Sequence, residues 1–287
     1  MSRCILKPLL GAMLIGLLAS VPFSHAEDIG LLWKAESPAG KTSYLFGTMH
    51  SDDTRINDFS AALLKAIADS EIFMVEVLPA GDHSVYFMPE GKLSSLLSEQ
   101  EHEQVMQLAD FHVMDRAAVN RMKPWLLAVM FDQPRPASIF SQDIMLRGIA
   151  QNHAKPLLAL EENDRHFLAL DSLSMEEQLT MLRTVLKRSQ EDKERDFESL
   201  LSAYLSGNLA QIAGVDEEMT GGLLPADIWQ KIRVKLLDER NMEMADRIIQ
   251  QAGTSTVFVA VGASHLAGSG GLLQRLRSAG FRLSPVK

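Results

Sequence analysis

The chain has 287 residues, 46% hydrophobic and 23% charged, an ordinary globular composition with enough apolar material for a substantial core. Its formal charge is −9 and it carries no basic run, which argues against nucleic acid or an anionic lipid surface as a partner. The one cysteine, Cys4, lies in the leader described next, so disulfides, thiol nucleophiles and cysteine metal sites are excluded from the rest.

Arg3 and Lys7 precede a nearly continuous apolar stretch, Leu9 to Val21, and Ser24-His25-Ala26 supplies small residues for cleavage. This is the pattern of a signal peptide over residues 1–26, and it implies a secreted or periplasmic protein. The alternative, a retained N-terminal anchor, is disfavoured because the apolar run is short for a bilayer. Loss of Arg3 and Lys7 takes the charge to −11, and no later segment approaches a membrane span. Residues 27–287 then read as a single domain, with the oligomeric state open.

Leu31 to Lys34 and Tyr44 to Phe46 flank the turn Ser37-Pro38-Ala39-Gly40 and read as a hairpin. Asn57 or Asp58 is expected to cap a helix whose Phe59, Leu63, Leu64 and Ile67 share a face. Ile72 to Leu78 is apolar without alternation, as in a strand covered on both sides, and carries one carboxylate, Glu76. A helix opens at Ser98 with Glu101 three residues on, another at Lys123-Pro124-Trp125, and a third runs from Asp143 to Ala154. Pro156 to Leu160 is a short strand ending at Glu161. Strand and helix thus alternate, predicting an α/β fold with a mainly parallel central sheet flanked by helices. From about 174 to 252 the chain reads as almost wholly helical, with one helix expected over Ile228 to Gln251. The last strand, Thr256 to Val261, leads through Gly262 to His265, and a final helix begins at Leu272.

Two stretches repeat one pattern: Ser43-Tyr44-Leu45-Phe46-Gly47-Thr48-Met49-His50 and Thr256-Val257-Phe258-Val259-Ala260-Val261-Gly262-Ala263-Ser264-His265 each run from a strand-like apolar stretch through glycine to a histidine three residues on. With 18 glycines and 8 histidines, about half an occurrence per chain is expected by chance. Two copies after strand-like runs are more than that, and strand ends are where open α/β sheets build sites. A carboxylate on an apolar strand needs a cation or donors, so Glu76 either joins His50 and His265 in a two-imidazole, one-carboxylate set suited to a divalent metal, or pairs with an arginine. Arg240 and Asn241 border and interrupt an apolar helical stripe. Arg240 could clamp an anion or pair with Glu161 or Asp238. His83, His102, His112, His153 and His166 read as surface residues. Ser264 invites a serine-hydrolase reading, but Gly-Ala-Ser-His lacks the glycine after serine of a nucleophile elbow.

Tyr44 to His50, the strand ending in Glu76, Lys123-Pro124-Trp125, Lys155-Pro156 through Leu160-Glu161, Glu239-Arg240-Asn241 and Val259 to Leu266 with Gly268 together resemble the TraB/GumN family, which includes the TIKI proteins, over nearly all of the mature chain. The resemblance implies an α/β sheet with flanking helices and a metal-dependent, protease-like site favouring manganese or cobalt. Carried onto this chain, His50, Glu76 and His265 are the expected metal ligands, with Arg240 close by. The chain departs from the pattern at Leu78, where relatives often carry an aspartate, and at His166, where a glutamine is common.

The expectation is therefore an exported metal-dependent hydrolase, a peptidase above other hydrolases, acting on a peptide or protein substrate. A divalent Mn, Co or Zn ion is held by His50 and His265. Glu76 is a third ligand or the general base, and Arg240 is a catalytic residue steadying the oxyanion. The rival expectation is a non-catalytic periplasmic binder that sequesters a peptide, a metal complex or haem in the same cleft.

Overall fold

The computed structural model describes residues 28–78, 83–161 and 165–286, with the side chains of 165 and 166 left aside. The expected signal peptide, with Cys4, and the side chain of His166 lie outside what is described.

The hairpin forms where the turn residues place it. Strand β1 (Leu32–Glu36) turns through Gly40, whose φ of +80° a larger residue would resist, into β2 (Thr42–Thr48). Helix α1 (Ala61–Asp69) is capped by Ser60 rather than Asn57 or Asp58, because it is the Ser60 hydroxyl that reaches the Leu63 N–H. Strand β3 (Ile72–Val75) follows and stops just short of Glu76. Helix α2 (Glu99–Phe111) opens on the Ser98 and Glu101 capping box, α3 (Arg116–Val119) is one turn, and α4 (Pro124–Asp132) starts on its proline. Then come α5 (Gln142–Asn152), β4 (Leu157–Ala159), α6 (Arg165–Asp171), α7 (Met175–Leu186), α8 (Gln190–Ser206), α9 (Leu209–Gly221) and α10 (Ala226–Arg233). The helix expected over Ile228 to Gln251 is interrupted: residues Val234–Glu239 are π-helical, and α11 (Arg240–Ala252) begins at the arginine itself. Strand β5 (Val257–Gly262), α12 (Leu272–Ser278) and β6 (Arg282–Pro285) complete the chain.

The six strands form one sheet in the order β4-β3-β5-β2-β1-β6. The first four are mutually parallel, and β1 and β6 add antiparallel edges. Strand β6 was not legible in sequence because it is short, exposed and ends in proline, which an edge position tolerates. In central β5, Val257, Val259 and Val261 join Leu45 and Met74 in the core under α8, α11 and α12. Phe258 and Ala260 join Phe46, Phe73 and Val75 beneath α1 and α5, with the Phe73 and Phe258 rings stacked 5.2 Å apart. Burial of both faces is why this strand reads as an unbroken apolar run. A third core gathers Val105, Trp125, Phe131, Leu182 and Val185 among the helices beyond the sheet. His112 belongs at its border: half-buried, its ring 5.5 Å from that of Phe131, it is not the surface residue expected.

Two of the resemblance motifs prove to be joints of this architecture. Lys123 Nζ and Trp125 Nε1 donate to the two oxygens of Asp171, at 2.8 and 3.0 Å, tying the start of α4 to the end of α6. Lys155 Nζ donates to the carbonyls of Ala68 and Ser70, closing the C-terminus of α1.

The parallel register sets the C-terminal ends of β2, β5 and β3 side by side, with Thr48 opposite Gly262 and Val75 opposite Ala260. Close approach at this corner depends on Gly47. A Cβ there would stand 3.0 Å from both the backbone and the methyl group of Ala263, and as close to Leu266 Cδ1. Gly47→Ala should cost about 1–3 kcal/mol in chemical denaturation through overpacking. Adding Ala263→Gly should recover only part of the loss, since it removes the methyl group and leaves the backbone of residue 263 in the way.

Candidate functional site

His50 leaves β2 two residues beyond its last position and would hang in a polar loop if nothing held it. Helix α5 does so. Gln142 Oε1 accepts the Met49 N–H at 2.9 Å, and its amide donates to Ile56 O at 2.7 Å. Asp143, the next residue, accepts from the Thr48 hydroxyl at 2.7 Å and pairs with His50 Nδ1 at 2.7 Å. The buried Tyr204 hydroxyl lies 2.8 Å from Gly47 O and 2.9 Å from Gln142 Oε1, one proton serving two acceptors, and burial pushes this phenol well above its ordinary range.

The Asp143 charge, then its hydrogen bond and the Glu76 charge, raise the pKa of His50, whose side chain is 62% exposed. Burial works to raise Asp143, but the charge and hydrogen bond of His50, with the bond from Thr48, leave it below the ordinary range.

His265 is buried at the end of the single turn Ala263–His265 that follows β5. Its Nδ1 lies 2.7 Å from Asn241 Oδ1. Because the Asn241 amide nitrogen donates to Gly270 O at 3.1 Å, Oδ1 is the acceptor and His265 Nδ1 carries the proton. Nε2 then faces Glu76, 3.9 Å from Oε2.

Glu76, buried one residue past β3, accepts the Gly262 N–H on Oε1 at 2.7 Å and Arg240 Nη2 on Oε2 at 2.6 Å. A Cβ on Gly262 would stand 3.3 Å from Glu76 Oε1, 3.6 Å from His265 Cδ2 and 3.8 Å from His50 Nε2, so all three candidate side chains border this glycine. The neighbouring carboxylate, Glu161, follows β4 and is fully buried. It receives Arg240 through Nε at 3.0 and 2.9 Å and through Nη2 at 2.7 Å. Both alternatives left open by the sequence thus meet in Arg240: it is the arginine partner of Glu76, and it pairs with Glu161, while Asp238 turns toward Arg233. Burial opposes the Arg240 charge, but the two carboxylates outweigh burial and raise its pKa.

Sequence reasoning did not single out Asp143 or Asp216 for this site. Asp216 on α9 accepts the Ser264 hydroxyl at 2.6 Å, burial raises its pKa, and the charge of His50 acts on it. Neither residue stands in a local pattern with the histidines. Ser264, engaged by Asp216, is held in a hydrogen bond to a carboxylate, not to a histidine base.

The donor chemistry suits a divalent cation. Each imidazole turns Nδ1 to a side-chain oxygen, the arrangement that directs Nε2 to a metal, and a carboxylate stands in the same corner. Among the described residues no three His, Cys, Asp or Glu side chains already close around one point, and Arg240 lies against Glu76 Oε2. No helix among the described residues is long and apolar enough to cross a membrane.

A model of the TraB/PrgY/gumN family matches residues 31–285. No curated protein was found to match the chain.

Two outcomes test this electrostatic frame. Arg240→Ala leaves two buried carboxylates facing each other without their cation and should cost about 3–5 kcal/mol in denaturant unfolding. Asp143→Asn should lower the His50 pKa, read by NMR titration of the imidazole. Since the native pKa is the raised one, the stability this pair contributes is fully present below about pH 6.5 and fades as pH climbs through the raised value. The mutant should show a flatter stability profile across that alkaline window.

Proposed function

The chain belongs to the TraB/PrgY/gumN family, and from that premise we propose that it is an exported metal-dependent hydrolase acting on peptide bonds. The observation that carries this reading is the convergence of His50, His265 and Glu76 on the Gly262 corner, each imidazole with Nδ1 anchored to an oxygen. His50 Nε2, His265 Nε2 and Glu76 would hold the ion, Mn²⁺, Co²⁺ or Zn²⁺. When bound, it supplies Lewis acidity toward a substrate carbonyl. The reaction adds water across an amide C–N bond, releasing a carboxylate and an amine.

The residues of the chain divide the remaining work. Asp143 and Asn241 fix the two imidazoles in one tautomer and one direction. The Gly262 N–H and Arg240 hold the Glu76 carboxylate in one orientation, which favours a ligand role over that of a base that must swing to take a proton. Arg240 commits Nε and Nη2 to carboxylates and a bond from Nη1 to Leu236 O. In this reading it positions Glu76 first and brings positive charge beside a developing oxyanion. Asp216, whose pKa burial raises, accepts the Ser264 hydroxyl and so steadies the turn that carries His265.

The rival reading, a binder without turnover, draws on two observations: both Glu76 oxygens are already engaged, and residue 78 is leucine. The two readings separate in one experiment. Metal-stripped protein should gain peptide hydrolysis only on addition of Mn²⁺, Co²⁺ or Zn²⁺, and His50→Ala and His265→Ala should each lose at least about 100-fold in kcat/KM. Saturable peptide or metal-complex binding with no turnover under any of the three ions supports the binder instead. Undiminished hydrolysis in both histidine variants would end the metal-centre proposal.

A further inference from the structure

The segment 133–141 between α4 and α5 carries the most exposed large apolar side chains near the candidate site. Ile139 is 79% exposed, Phe140 57%, and Ile144, at the start of α5, 38%. Leaving a phenylalanine and two isoleucines this exposed is unfavourable relative to burying them. Isolated exposed apolar residues are ordinary, but these three bracket the residue that holds His50.

Their placement is fixed. The Ser138 N–H donates to Asp52 Oδ2 at 2.5 Å, the Phe140 N–H to Ser138 Oγ at 3.1 Å, and the Gln142 N–H to Ser51 O at 2.9 Å. The segment is therefore fastened to the His50 loop on both sides of Ile139 and Phe140, through the residues that directly follow His50. Asp143, which pairs with His50 Nδ1, comes three positions after Phe140 and one before Ile144. Three residues of chain span at most about 11 Å, so the apolar group lies within reach of a short peptide that touches the imidazole.

We propose that Ile139, Phe140 and Ile144 form an apolar subsite that receives an apolar side chain of a peptide lying across His50. The inference rests on the reading of His50 and His265 as a peptide-handling centre, and it adds the substrate class: peptides with an aliphatic or aromatic residue beside the bond presented to the site. Two other occupants fit worse. A second copy of the chain would need about 800 Å² per partner, whereas three such side chains offer about half that. An anionic membrane would meet Asp52 and Asp143, which hold the same loops together, in a protein of net charge −9.

The test uses the full chain and a pair of fluorescent peptides that differ only in a central Leu or Ser. Binding is measured by anisotropy on the metal-stripped wild type, where turnover is not expected, and cleavage is measured on the Mn²⁺-loaded wild type. The unmodified loop should bind the Leu peptide at least about 10-fold more tightly than the Ser peptide. Ile139→Ser/Phe140→Ser should reduce that preference to within about twofold. Phe140→Leu alone should keep most of it. Mn²⁺ affinity and thermal melting should not change in the loop variants.

The proposal is overturned if the double-serine protein discriminates as the wild type does, if neither peptide binds, or if the double variant instead changes the sedimentation coefficient or loses binding to vesicles. Discrimination without cleavage under any metal leaves the subsite standing and removes the hydrolase reading. Cleavage that persists with no loss of preference does the reverse.

Discussion

Two carboxylates at the ends of neighbouring parallel strands cannot both be buried and ionised unless a cation lies between them. Glu76 after β3 and Glu161 after β4 are that pair, joined further by a hydrogen bond from Glu161 N–H to Glu76 O at 3.0 Å. Arg240 resolves the conflict by reaching both, and the rest of the site follows from where it must stand. The π-helical turn Val234–Glu239 immediately precedes it. A π-turn shifts the residues beyond it around the helix axis relative to regular α spacing, so Arg240 and Asn241 face the strand ends while Met244 and Ile248 still enter the core. Asn241 in turn sets the proton on His265. One irregular turn thus serves a charge balance on one side and an imidazole orientation on the other.

The two histidines are held differently. His265 is buried and oriented by a neutral amide, while His50 is exposed and oriented by a carboxylate. Exposure leaves the His50 side open to solvent, and burial gives rigidity on the His265 side. The glycines fit the same division. Gly262 lets its N–H reach Glu76, and Gly47 lets β2 pack against the turn that carries His265.

The frame of the fold was legible because it rests on local signals. The unbroken apolar run Val257 to Val261, the Ser98 and Glu101 capping box and the Pro124 start each declare themselves within a few residues, and the structure keeps all of them. Strand β6 was missed because exposed edge residues carry no strong alternation. The cap of α1 fell to Ser60 because three neighbouring polar residues compete for it and only backbone geometry decides. At the site, His50, Glu76 and His265 stood out because polar residues at the ends of apolar strands break a pattern. Asp143 and Asp216 did not, since a carboxylate in an amphipathic helix is ordinary and its pairing across more than forty residues is a tertiary fact. Lys123 and Trp125 show the converse. A family motif drew attention to them, and their partner Asp171 makes them a joint between helices.

Energetics offers a reason to read the buried network as functional. A buried Glu–Arg–Glu triad pays desolvation on every member, and well-packed apolar side chains of similar volume would generally be as stabilising or more so. Stability alone therefore does not explain Glu76, Glu161 and Arg240 at this corner, where Leu160, Val259 and Val261 show that apolar packing is available nearby. What the triad provides and a leucine cluster does not is a carboxylate at a fixed height above Gly262, its orientation set by two donors, next to two imidazoles whose protons are placed by oxygens of their own. Preorganised polar groups of this kind are costly in a folded protein, and the proposed reading gives that cost a use, the reception of something charged or becoming charged.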